Sequence, residues 1–445
     1  MGLKKLVYLI VLAGLAYLGF LFSLVTAPVQ RGFIFMNGIK LGSNETLYHP
    51  ETSGFAKNQV APFWLETPDG EKLFGWHILP IDAYELNRAR LRAIEPSKDE
   101  IDANELAKVH LSILREDPHA RVIIYFHGNA GCISSIHRPD IYRALLTSSP
   151  AHTHLFIVDY RGFGVSTGLP SESALISDGA FVSLAITELT GIPPSKTVLV
   201  GQSLGTGVVI GIADLLLAAD PPVEFKAIVP IAGFSSIEKV ALDFKAFGTV
   251  PVIGPAAYLP QAQGLVSRFI QHPFRSDERL ERFVRNSRRT KVLIVHSFDD
   301  AEIPFAHGER LLEAALRGAS ASASAEDEEG GLVQLNRYLG MAENERSGVF
   351  EVVSIAEQQT REYHFYQRFS DNGTLLLDPS SSDGEEEEGV EIEQVVKEVE
   401  QVVVPVTDED EEVRRISMLA LKWGGHNLVP KSSDVILAVR QLLYD

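Results

Sequence analysis

The chain has 445 residues with 59 acidic and 40 basic side chains, a net charge of −19, and 45% apolar against 22% charged residues. The charge is local: Ala319 to Glu412 holds 25 Asp and Glu against 5 Arg and Lys, leaving 34 and 35 for everything else. A neutral body with no basic concentration excludes nucleic acid as a partner, the apolar content excludes wholesale disorder, and a single Cys132 excludes a disulfide framework or a cysteine-rich zinc site.

From Leu6 to Val29 the chain runs 24 residues without a charge, between Lys4-Lys5 and Arg31. As one helix this stretch would be about 36 Å long, enough to cross a hydrocarbon core of about 30 Å. It exceeds the apolar region of a signal peptide, so 6–29 reads as a transmembrane anchor rather than a leader cut near Val25 and Ala27. The lysines favour a cytoplasmic amino terminus and a lumenal body, in the endoplasmic reticulum or another secretory-pathway membrane. Two Asn-x-Thr sequons, at Asn44 and Asn372, are candidate glycosylation sites and agree with that orientation.

Residues 31–118 open the body. Within them Phe63 to Pro80 holds two alternating runs that meet at Asp69-Gly70, a hairpin signal, because Asp-Gly supplies the positive φ angles of a primed turn. Residues 81–118 read as surface helix. Strand-length apolar runs then recur at Val122–Phe126, Leu155–Asp159, Val198–Gly201, Ala227–Ile231 and Val292–His296, with helical stretches such as Ser173–Leu189 and Gly205–Ala219 between them. Nearly continuous Val, Ile and Leu predict an α/β fold: a mostly parallel central sheet with helices on both faces. Its core is expected over 119–233, 290–318 and 413–445. The apolar, proline-containing stretch 234–289 reads as a cap or lid. The acidic stretch 319–412 reads as a largely disordered insertion, with a small hairpin in its middle, FEVVSIAEQQTREYHFYQRFSDNGTLLLD.

After the strand ending at Val200 comes Gly201-Gln202-Ser203-Leu204-Gly205, followed at once by a helix. This is G-x-S-x-G where the motif has meaning, a sharp strand-to-helix turn that lifts the Ser203 hydroxyl above the sheet; Gly201, Gln202 and Gly205 complete the elbow. The helix beginning beneath it offers unpaired N–H groups where negative charge would develop. A serine hydroxyl needs a base, and the base a carboxylate, in the order Ser, acid, His. Asp299 and Asp300 both sit in the loop after the strand Lys291 to Val295. The strand candidate Ile416 to Trp423 ends in Gly424-Gly425-His426-Asn427, before a final amphipathic helix, Ser432 to Leu443. His426 is the base by that position; His296 and His307 are its rivals. The two oxyanion donors expected are the N–H groups of Leu204 and of Asn129, in the loop His127-Gly128-Asn129-Ala130-Gly131. His127 reads as structural.

These residues resemble the α/β-hydrolase superfamily, and more narrowly its membrane-anchored ABHD-type branch of lysophospholipases and monoacylglycerol lipases. The resemblance rests on the anchor, DGEKLFGWHILP, YFHGNAG, VDYRGFGVSTGLPSE, VGQSLGTG, HSFDDAEIP and GGHN, in family order over roughly 230 residues between Phe63 and Asp445. It implies an α/β-hydrolase fold, Asp300 as the catalytic acid, and a structural role for Asp159 to Ser166. The acidic insertion departs from the family pattern. The expected activity is serine-dependent hydrolysis of a carboxylic ester, most simply a lipid monoester, with no metal or organic cofactor and with the bilayer as partner through residues 6–29. An acyl-protein thioesterase and a serine peptidase use the same machinery, and a catalytically idle membrane-bound binding module uses the same scaffold. The sequence does not specify oligomeric state.

Overall fold

A computed structural model of the chain describes residues 3–23, 25–39, 41, 44–94, 105–135, 137–243, 245–246, 250–251, 267–321, 350–353, 360–369, 375–376 and 412–444. Its strands in chain order are β1 (Val60–Glu66), β2 (Lys72–Ile78), β3 (Arg121–Phe126), β4 (Thr153–Val158), β5 (Thr197–Gln202), β6 (Ala227–Ile231), β7 (Lys245–Ala246), β8 (Val250–Pro251), β9 (Lys291–Ser297), β10 (Phe350–Val353), β11 (Thr360–Phe369), β12 (Leu375–Leu376) and β13 (Glu412–Leu421). β7 and β8 pair with each other; among the described residues the others form one sheet in the order β1-β2-β4-β3-β5-β6-β9-β13-β11-β10, with β12 on β11. Neighbours from β4 to β13 are parallel. The β1–β2 hairpin, turning at Asp69-Gly70, joins one edge antiparallel through β2, and β11 joins the other edge antiparallel through β13.

Strand composition follows from this arrangement. Val122, Ile124 and Phe126 of β3 share a core with Leu199, Ile228, Val292 and Ile294, while Ile123, Tyr125, Val198, Val200, Val229 and Val295 belong to the core on the opposite face. The first face is covered by the helices Glu172–Thr190, Leu204–Leu217, Ser276–Asn286 and Ala306–Ala321, the second by Arg138–Leu146 and Ser433–Tyr444. With helices on both sides, most positions of the central strands take an apolar residue. The chain has the α/β-hydrolase fold.

Several local expectations change. The charge-free run 6–29 is not one helix: Leu3–Ser23 ends before Val25 and Thr26, and a second helix, Ala27–Ile34, begins with Pro28 in its first turn. Proline is tolerated there but would clash in a helix interior, so the break falls just ahead of it. The first helix, at 21 residues, still measures about 31 Å. Helix Glu105–Glu116 is no surface helix; it buries Leu106, Val109, His110, Ile113 and Leu114. Helix Ser276–Asn286, within the stretch read as a cap, packs Leu280, Phe283 and Val284 into the main core, and residues 252–266 lie outside the described residues. In the acidic stretch, β11 pairs with β13 over ten residue pairs, Thr360 opposite Leu421 through Phe369 opposite Glu412, so the insertion lengthens the sheet. The other apolar helix long enough to span a bilayer, Glu172–Thr190, is half buried, with Leu175, Ile176, Val182 and Ile186 in the core; it is a core helix.

Topology places the crevice. β4 lies on one side of β3 and β5 on the other, so the strand order reverses between β3 and β5. The loops leaving their carboxyl ends diverge and open the space where ligands bind in such sheets.

Candidate active site

Ser203 stands between β5 and the helix Leu204–Leu217 with φ 53° and ψ −115°, a strained conformation for a residue with a side chain. Close backbone approach enforces the turn. A Cβ at Gly201 would lie 2.3 Å from the Gly205 carbonyl oxygen, and one at Gly205 would lie 2.0 Å from that of Phe126, so only glycine fits at either place. The Ser203 N–H donates to Ile231 O at 3.0 Å, fixing the elbow to β6. Ser203 itself is half-buried, and the Leu204 N–H opens the helix beside it.

The loop after β3 lies against this serine. A Cβ on Gly128 would fall 3.4 Å from Ser203 Cβ and 3.8 Å from its Oγ. The N–H groups of Ala130, Gly131, Cys132 and Ile133 are taken, by Phe35 O (2.9 Å), Ile39 O (3.0 Å), Ser135 Oγ (2.8 Å) and Asp159 Oδ1 (2.9 Å). Among the described residues those of Gly128 and Asn129 have no partner. The exposed Asn129 side chain donates instead to Met36 Sδ at 3.4 Å.

Two neighbouring strands carry the remaining candidates. Asp300 follows β9 and His426 follows β13, in the short helix Gly425–Leu428. Asp300 Oδ1 accepts the N–H groups of Glu302 (2.9 Å) and Ile303 (2.8 Å), and its Oδ2 lies 2.9 Å from His426 Nδ1. β6 and β9 separate β5 from β13, roughly 14 Å of sheet, yet the His426 loop spans it. The Gln202 amide donates to His426 O at 3.1 Å, while Tyr125 Oη donates to Gln202 Oε1 at 2.5 Å. Through Gln202 the elbow holds the His426 backbone; among the described residues no hydrogen bond joins His426 directly to Ser203.

No family model matches the chain. Lysophosphatidylserine lipase ABHD12 of Danio rerio is 28% identical over 299 residues, 66% of this chain and 69% of that protein. Its Mus musculus counterpart is 27% identical over 293 residues, 66% and 65% of the two chains, and Protein ABHD12B of Homo sapiens is 32% identical over 197 residues, 44% and 49%. Among solved structures, an alpha-beta hydrolase from Vibrio vulnificus covers 69% of this chain and 92% of its own at 14% identity, with a TM-score of 0.45. Over about two thirds of its length the chain is similar to these ABHD12 proteins.

The chain is a serine ester hydrolase, and the electrostatics around Asp300 and His426 suit a proton relay. Burial works to lower the His426 pKa, but the hydrogen bond and charge of Asp300, with the charge of Glu302, outweigh it and raise the imidazole above its ordinary value. Burial likewise works to raise Asp300; the His426 hydrogen bond and charge, the Ile303 N–H and His296 overcome it, and the carboxyl sits below its ordinary value. Glu302 Oε2 lies 3.8 Å from His426 Nε2 and is largely exposed. The rivals have other partners: buried His296, with Nε2 3.6 Å from Asp300 Oδ2, donates to Ile303 O at 2.9 Å, and burial holds its pKa down. His307 Nδ1 pairs with Ser235 Oγ at 2.9 Å, and burial pushes it down to about 4. His127 sits between Gly128 O (2.7 Å) and Asp159 (3.2 Å).

Asp299 has a role that sequence reasoning missed. Its carboxylate accepts the N–H groups of Gly425 (2.7 Å) and Gly424 (3.3 Å) and the Ser297 hydroxyl, holding the turn that presents His426. The doubled Asp and doubled Gly of HSFDD and WGGH were its only sequence trace. Of the two sequons, Asn44 begins the helix Asn44–Tyr48, and Asn372 lies outside the described residues.

Proposed function

We propose that this lipid-ester serine hydrolase cleaves single-chain lipids, with lysophospholipids foremost, using Ser203 as nucleophile, His426 as base and Asp300 as the group that orients it. The observations that carry the assignment are the contact from Asp300 to His426 Nδ1 at 2.9 Å and that from the His426 carbonyl to Gln202, the residue preceding Ser203. Asp300 fixes the proton on Nδ1, leaving Nε2 to take the Ser203 proton as the hydroxyl attacks the ester carbonyl. The N–H groups of Asn129 and Leu204 receive the oxyanion. His426 then protonates the departing alcohol, and water repeats the sequence on the acyl-enzyme.

The substrate class rests on the relatives named lysophosphatidylserine lipases and on the apolar helix Leu3–Ser23, read as an anchor. A body held at a bilayer meets its lipid at high local concentration, and a secretory-membrane site with a lumenal body accords with the two sequons. The test is a panel run on the detergent-solubilised full chain: lysophosphatidylserine, other lysophospholipids, monoacylglycerol, a palmitoyl thioester and a peptide ester. Release of fatty acid from lysolipids well above the thioester and peptide rates is expected. Preference for the thioester, or no turnover of any lipid by folded protein, would overturn the reading; endoglycosidase-insensitive mass in cells would overturn the lumenal body.

A further inference from the structure

Arg138 opens the helix Arg138–Leu146, and its guanidinium lies under the loop that faces Ser203. Nη1 donates to Cys132 O at 2.6 Å, and Nη2 meets Gly128 O at 3.0 Å, Asn129 O at 2.9 Å and Ala130 O at 2.8 Å. Four carbonyls of one short loop thus converge on a single side chain. Among the described residues that side chain makes no salt bridge, so its charge acts on these carbonyls rather than on a carboxylate. Burial of the surrounding loop makes the charge stronger than it would be in water.

We propose that Arg138 is a positioning residue for the oxyanion hole: it locks the 128–132 loop and polarises the peptide that supplies the hole's donor. The inference rests on the reading of Ser203 as nucleophile. Its force comes from peptide geometry. The Gly128 carbonyl and the Asn129 N–H belong to one planar unit and point in opposite directions, so a cation on the carbonyl side directs and strengthens the N–H on the other. That peptide's N–H is one of the two in this loop without a partner among the described residues, and it adjoins a glycine packed on Ser203. Next to it, Ala130 and Gly131 are both held at positive φ, 57° and 59°. Such a pair is strained at the alanine and persists only where its surroundings impose it. Arg138 below, with Phe35 and Ile39 accepting the Ala130 and Gly131 N–H groups above, provides that restraint.

The fork matters as well as the charge. A lysine ammonium is a point donor and cannot reach carbonyls on both sides of the loop at once. The test uses the detergent-solubilised full chain with Arg138→Gln and Arg138→Lys, read by steady-state hydrolysis of a short p-nitrophenyl ester and by the rate and end point of fluorophosphonate labelling. Arg138→Gln should lower kcat by about 10- to 100-fold with KM within about twofold, and slow labelling in step while the labelled fraction still reaches completion. The pH midpoint of the acid limb should stay in place, since His426 is untouched. Arg138→Lys should recover only part of the rate. A folded Arg138→Gln enzyme with wild-type kcat would overturn the proposal, as would a fall in labelled fraction at unchanged labelling rate, which marks a folding lesion. Should the Gln variant not fold, Arg138→Lys decides: wild-type rate refutes the fork, a slowed rate with full labelling supports it. Ser203→Ala runs alongside; labelling that survives it removes the underlying nucleophile reading, whatever Arg138 does.

Discussion

Replacing Asp300 with Asn should abolish nearly all activity while sparing the fold, for a reason built into the hydrogen bonds around it. The Glu302 and Ile303 N–H groups, at 2.9 and 2.8 Å from Oδ1, require an acceptor there. An asparagine must therefore keep its carbonyl oxygen on that side and turn its NH2 toward His426 Nδ1, where Oδ2 now sits at 2.9 Å. The ring answers by accepting at Nδ1 and carrying its proton on Nε2, and that tautomer cannot take the Ser203 proton. The same tautomer error in a serine triad lowers kcat about 10⁴-fold, equivalent to about 5 kcal/mol of barrier. Asp299→Asn is the control: its amide oxygen keeps the Gly425 N–H bond, and only the charge and the longer Gly424 N–H bond at 3.3 Å are lost at an exposed position, so a loss of no more than about tenfold is expected. The assay is kcat on a short ester, normalised by fluorophosphonate active-site titration, with thermal melts on each variant. If Asp300→Asn stays within tenfold of wild type, or Asp299→Asn is the worse variant, the assignment of the acid fails.

Removing residues 1–26 should release the protein from membranes yet keep short-ester hydrolysis, whereas removing 1–39 should abolish it, because Phe35 O and Ile39 O hold the Ala130 and Gly131 N–H groups and Gln30 pairs with Phe269 and Gln271; equal activity of the two truncations would refute this. Glu302→Gln removes one of the charges that raise His426, so the acid limb of the kcat/KM profile should move to lower pH; an unmoved or raised limb contradicts it. The buried trio His77, His110 and His154, with His77 Nε2 3.0 Å from His154 Nδ1 and His110 Nε2 2.9 Å from Asn58 O, should make folding acid-sensitive. Burial pushes His110 down to about 4 and His154 to about 3, below the unfolded value of about 6.5, so the stability they hold when neutral is complete above pH 6.5 and drains as pH falls toward 4. For His110 alone that is on the order of 3 kcal/mol, read as a falling urea midpoint; a flat profile from pH 7 to 4.5 would refute it.

The parts of this molecule legible in its sequence are those whose signal is local. Asp69-Gly70 announces the β1–β2 turn by its own backbone preference, and unbroken Val, Ile and Leu announce strands covered on both faces. Ser203 could be singled out because strand, glycines and helix are contiguous. What escaped is tertiary or masked by composition. The small hairpin expected within the acidic stretch is there as β10 and β11, but the pairing of β11 with β13, over forty residues away, was hidden by the acidic residues between them. Helix Ser276–Asn286 carries core residues Leu280, Phe283 and Val284 in a stretch whose prolines and aromatics suggested a lid. Arg138 has no motif at all, because an arginine that serves carbonyls is identified by where those carbonyls converge.

The most direct test is to find which serine reacts. Treating the full chain with a fluorophosphonate and sequencing the modified peptide by mass spectrometry should place one adduct, on Ser203, and Ser203→Ala should give folded protein that neither labels nor hydrolyses esters. An adduct on any other residue, or hydrolysis that persists in the Ser203→Ala protein, would contradict the account.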